Sequence, residues 1–109
     1  MSKEHQLNNI ENQLEKFLNK MIPIKYPEVN TIVVVSKPFY SNEYFLDKSN
    51  FSYNINVNPT FDGVKRLEKN PDFEDELLKY IENIAEFGTK MFNTTNTKHY
   101  VNEVKLFWD

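Results

Sequence analysis

The spacing of hydrophobic residues changes along the chain, and each change predicts an element. With residues advanced by about 100° each, Leu7, Ile10, Leu14, Phe17, Leu18 and Met21 fall within a sector of roughly 100°, the stripe of a helix packed on one side. Ser2 suits the cap, Glu4 and Lys20 suit the two dipole ends, and Pro23 with Pro27 opposes continuation. The pattern predicts a helix over Lys3 to Met21.

The period then shortens. Val29 to Pro38 reads as a strand, and its uninterrupted run Ile32-Val33-Val34-Val35 predicts cover on both faces. Phe51 to Val57 alternates strictly, with Phe51, Tyr53, Ile55 and Val57 opposite Ser52, Asn54 and Asn56, the pattern of a strand covered on one face. Between them, Ser41-Asn42-Glu43 reads as a turn, Tyr44 to Leu46 as a short strand and Asp47-Lys48-Ser49-Asn50 as a second turn. A meander of three antiparallel strands is expected. Asn58-Pro59 closes it, and Phe61, Val64 and Leu67 around Asp62-Gly63 allow only a short helical turn.

Helical spacing returns at Asn70, a suitable N-cap before Pro71, with Asp72, Glu74, Asp75 and Glu76 at the positive end of the dipole. This helix is expected to reach Phe92. Phe73, Leu77, Leu78, Tyr80, Ile81, Ile84, Ala85, Phe87, Gly88, Met91 and Phe92 fill an arc of about 180°, wide enough to touch two surfaces. After Thr94-Thr95-Asn96-Thr97, alternation from His99 to Phe107 predicts a last strand, with Tyr100, Val104, Leu106 and Trp108 on one side. The expected fold is α+β, two helices on a mostly antiparallel three- or four-stranded sheet in the order α-β-β-β-α-β, with residues 1–109 as one domain. Its expected core holds Leu14, Phe17, Val33, Val35, Phe51, Tyr53, Ile55, Leu77, Ile81, Ile84, Val104 and Leu106.

Composition narrows the function classes. A chain with Cys 0 has no disulfides, thiolate nucleophiles or cysteine metal sites, and Met1 to His5 lacks the apolar run of a secretory signal, so a cytoplasmic protein is expected. No run is long enough to span a bilayer. The formal net charge is -3 and the lysines are scattered among acids and amides, which disfavours general nucleic-acid binding. Abundant Asn and Lys beside a lone arginine, Arg66, hint at an AT-rich genome, with bacteria and their phages as plausible sources. With Gly 2 in the chain there is neither a P-loop nor a dinucleotide fingerprint, and no cofactor is implied.

Catalytic chemistry has few candidates. His99 shares a face of the last strand with Val101, Glu103, Lys105 and Phe107, so a small acid–base or metal site of His99 with Glu103 is conceivable, although alternating polar residues on a strand are usually its wet face. His5 reads as a surface residue. The acidic cluster at Asp72 to Glu76 lacks a calcium-loop spacing and reads as a helix start, so no metal site is assigned. Ser52, Asn54, Asn56 and Asn58 read as a wet sheet face.

Two surfaces fit a partner. Phe39, Tyr40, Tyr44 and Phe45 gather at a turn, as either a hairpin closing the core or a binding surface, and Leu78, Ala85 and Phe92 recur at heptad spacing, facing either the first helix or another chain. The tail from Glu103 to Asp109, with Leu106-Phe107 beside an acidic end, is similar to the peptides that replication and repair proteins insert into the sliding clamp, although Glu103 stands where that pattern prefers glutamine. That resemblance implies a clamp-binding accessory role; a terminal core strand is the other reading. Together the residues point to a non-catalytic protein–protein interaction module. It would be an inhibitor or immunity-type protein, or a phage or bacterial assembly component that self-associates. The alternative is a small enzyme or metal-binding protein using His99 and Glu103.

Overall fold

The computed structural model describes residues 3–40, 46–93 and 98–107, with side chains described over 10–37, 51–93 and 98–107. The elements are α1 (Lys3–Lys25), β1 (Val29–Tyr40), β2 (Leu46–Pro59), α2 (Phe61–Lys69), α3 (Pro71–Phe92) and β3 (Lys98–Leu106). The α+β class is as expected, but the order is α-β-β-α-α-β and the three-stranded sheet is mixed. β1 and β2 are antiparallel, whereas β3 returns through α2 and α3 to lie parallel to β2 in the order β1-β2-β3. A parallel return needs a crossover of a dozen or more residues, which the two helices supply.

Leu46 belongs to β2, so the separate strand expected at Tyr44 to Leu46 does not form as drawn; Tyr44 itself lies outside the described residues. The short turn expected near Gly63 is a full helix, α2, capped by Thr60, whose hydroxyl accepts from the Gly63 amide at 3.0 Å. Gly63 is sterically required, because a Cβ there would lie 2.3 Å from the Glu28 carbonyl oxygen. Asn70 precedes α3 without a side-chain capping bond, and its own amide closes α2 by donating to Arg66 O at 2.9 Å.

Pro23 does not end α1. The helix runs to Lys25, and the Tyr26 amide donates to Ile22 O at 2.8 Å. A proline inside a helix costs about 3 kcal/mol. Ile22 and Tyr26 are both buried, and burying two such side chains gains a similar amount, about 1.5–3 kcal/mol each.

Both long helices pack on one face of the sheet, α1 over β1 and α3 over β3, and they touch each other. Leu14, Leu18, Ile22, Leu77, Ile81 and Ala85 meet Ile32, Val34, Tyr53, Ile55 and Val57 in the core. At the helix crossing a Cβ on Gly88 would lie 2.8 Å from Leu14 Cδ1, and Phe17 meets Phe92 edge to face at 5.7 Å. Phe87 and Met91 are exposed, so the apolar arc of α3 is narrower than its sequence implies.

Among the described residues no helix covers the other sheet face, which corrects β1. Ile32 and Val34 are buried, whereas Val33 and Val35 are 46% and 43% exposed, so the β-branched run has one covered face. A break in register corrects β3. Tyr53 pairs with Val101 but Asn54 pairs with Glu103, leaving Asn102 as an extra residue. This bulge keeps His99, Val101, Val104 and Leu106 on the helix side and sends Tyr100, Glu103 and Lys105 outward.

The β1 amides that point away from β2 are taken by α1. Glu11 accepts from the Ser36 amide at 2.9 Å, Glu15 from Val34 at 2.9 Å and Asn19 from Ile32 at 2.8 Å, while Asn19 also donates to Ile32 O at 2.8 Å. Four helical residues advance about 6.0 Å and two strand residues about 6.7 Å, so side chains at every fourth position meet every second amide. The helix thereby blunts an edge that would otherwise accept another strand. No helix among the described residues is long and apolar enough to cross a membrane.

Candidate functional site

The alternation of β2 puts Phe51 and Tyr53 on the helix-covered face, and the parallel register places His99 beside Phe51, one rung from Tyr53. The Tyr53 hydroxyl and His99 Nδ1 are 2.6 Å apart. The imidazole lies nearly parallel to both rings, 5.3 Å from Phe51 with 18° between planes and 5.7 Å from Tyr53 with 28°. Tyr53 is fully buried and His99 half-buried, so the pair joins the core to the surface.

Across β1, Ser36 is the register partner of Tyr53, and its amide and hydroxyl both donate to Glu11 Oε2. Burial raises the Tyr53 phenol well above its ordinary range, and the Glu11 charge adds to the effect. Burial lowers the His99 imidazole. Both groups are therefore neutral at pH 7, joined by a short, partly buried hydrogen bond. A neutral imidazole beside a protonated phenol is equipped to pass or hold a proton.

The structure does not bring His99 and Glu103 together. The bulge turns Glu103 to the open face, where it lies 3.9 Å from Lys105, and so corrects the proposed pair. Among the described residues no three His, Asp or Glu side chains converge as a metal site. In the acidic start of α3, Glu76 accepts a bond from the Tyr26 hydroxyl at 3.1 Å. On the open face, Asn54 Oδ1 accepts from Asn102 at 2.9 Å.

Phe39 and Tyr40 end β1, paired with Asp47 and Leu46; their side chains, and Tyr44 and Phe45 altogether, lie outside the described residues. Ala85 is buried, Leu78 packs on the core, and Phe92 meets Phe17 of α1. Leu106 packs against the core and the Phe107 amide donates to Val57 O at 2.8 Å, so the stretch likened to a clamp-binding tail continues the sheet; Trp108 and Asp109 lie outside the described residues.

A separate groove of about 380 Å³ between the end of α1 and α3 is lined by Lys25, Tyr26, Glu76, Lys79, Tyr80 and Asn83. Its aromatic corner is filled by the chain itself, with Lys25 Nζ 4.5 Å from the Tyr80 ring centre.

Sequence reasoning assigned Tyr53 to the core and passed over Ser36 and Glu11. Tyr53 carried one available signal, a hydroxyl inside an apolar alternation that must find a partner once buried.

No family model matches the sequence, and no curated protein matches it significantly. Among solved structures, an OsmC like protein from Mycoplasma pneumoniae matches with a TM-score of 0.50 and 13% sequence identity, over 92% of this chain and 67% of that one. At this identity the likeness concerns the fold. It overturns the expectation of a non-catalytic interaction module, whether inhibitor, immunity-type protein or assembly component. Nor does it support a phage source or an AT-rich genome.

Proposed function

We propose that the chain is a small enzyme whose acid–base centre is the Tyr53–His99 pair. The observation that carries this reading is the 2.6 Å contact between a fully buried phenol and a half-buried imidazole. A buried tyrosine hydroxyl needs an acceptor, and here that acceptor is a titratable ring that also reaches the surface. With Cys 0, thiolate nucleophiles are closed to the chain, and the chemistry this pair offers is proton transfer or hydrogen bonding to a substrate held at the ring edge. The likeness to an OsmC like protein concerns the fold and names no substrate.

The test is turnover of three simple probes: p-nitrophenyl acetate, p-nitrophenyl phosphate and the exchange of α-protons of a ketone in heavy water. At least one should be turned over by the wild type and slowed about 100-fold by His99→Asn. Equal rates for wild type and variant on all three would overturn the proposal.

A further inference from the structure

The Tyr53–His99 contact also says which proton each group holds. A phenol has one proton to donate, and Tyr53 is buried with His99 as its sole hydrogen-bond partner among the described residues. If His99 Nδ1 carried the proton and donated to the phenol oxygen, the phenol's own hydrogen would be left in the core without an acceptor, at the cost of an unsatisfied buried donor. The bond is satisfied when Tyr53 donates and Nδ1 accepts. A neutral imidazole then keeps its proton on Nε2.

We infer that His99 presents Nε2–H as a fixed donor, and that the site takes a ligand through a carboxylate or carbonyl oxygen. This rests on the acid–base reading above and narrows it to the donor half. An imidazole already carrying its proton on the outward nitrogen polarises an acceptor oxygen; it does not remove a proton from substrate through that nitrogen. Nδ1 faces the buried phenol while the ring as a whole is half-buried, which leaves the Nε2 side for the ligand. Burial and the neighbouring Glu11 carboxylate both keep the phenol protonated, so the donor direction is stable across the neutral range. Phe51, stacked on the imidazole at 5.3 Å, holds the ring plane and lends an apolar wall.

Nitrogen chemical shifts of the imidazole test this directly in the uniformly labelled full chain, with His5→Asn used to assign His99. The expected result is a bare Nδ1 and a protonated Nε2 near pH 7. Titrating acetate as the probe should shift Nε2 and its proton saturably. Tyr53→Phe keeps the ring volume but frees Nδ1, so it should mix the two tautomers and weaken acetate binding about threefold to tenfold. A thermal melt of that variant confirms that it is folded. A protonated Nδ1 in the wild type, or an acetate response that does not saturate, overturns this inference. The acid–base reading stands or falls separately, on the loss of turnover in His99→Asn.

Discussion

Asn19 is the most economical place to test whether α1 acts as a surrogate strand on the β1 edge. Its side chain makes three bonds of 2.8 Å, donating to Glu15 O and Ile32 O and accepting from the Ile32 amide. Asn19→Leu keeps the size of the residue and removes all three. It leaves the Ile32 amide and carbonyl in a partly buried setting, each worth about 1–3 kcal/mol when unsatisfied. Water reaching the edge reduces that, and Leu favours the helix over Asn by roughly 0.5 kcal/mol, so a net loss of about 1.5–3 kcal/mol is expected. In a chain of 109 residues this lowers Tm by roughly 6–12 °C. Asn19→Asp, which keeps the acceptor for Ile32 and loses the donor, should fall between. Thermal unfolding followed by circular dichroism measures the loss, and size-exclusion chromatography shows whether the opened edge recruits a second strand. A loss below about 0.5 kcal/mol for Asn19→Leu, with no change in size, would refute the edge role.

Other substitutions probe the packing, the titration and the corrected site. Gly88→Ala should destabilise by about 1–3 kcal/mol despite the better helix propensity of alanine, because the new Cβ meets Leu14 Cδ1 at 2.8 Å in a fully packed core; chemical denaturation reads it. His99 has a folded pKa below its unfolded value of about 6.5, so the unfolded chain binds the proton first and stability falls as pH drops through about 6.5 towards the folded value. Urea midpoints at about pH 8 and pH 5 should show this slope in the wild type and a shallower one in His99→Asn. Glu103→Gln lies on the open face beside Lys105 and should change stability by less than about 0.5 kcal/mol while leaving any His99-dependent turnover intact; a loss of that turnover would restore the His99–Glu103 pair. Ile81→Ala removes a fully buried side chain and should cost about 2–5 kcal/mol by the same denaturation assay.

The sequence alone determined the features that depend on neighbours along the chain. The stripe of Leu14 and Leu18, the start of α3 at Pro71, and the alternation of Tyr53, Ile55 and Val57 are local periodicities, and each survives in the structure. Pro23 was misread because its local penalty is fixed while the gain from burying Ile22 and Tyr26 exists only after folding. Which face of β1 is covered was not legible either: a run of four β-branched residues fits both cases, and the single helical layer decided for Ile32 and Val34. The site lay further from view. Tyr53 and His99 are separated by two helices, and their contact depends on β3 pairing parallel to β2, while the bulge at Asn102 decides which later residues share the face of His99. Strand direction and register are settled by long-range pairing, to which no residue type in the strand itself is committed, so tertiary structure joined Tyr53 to His99 and parted His99 from Glu103.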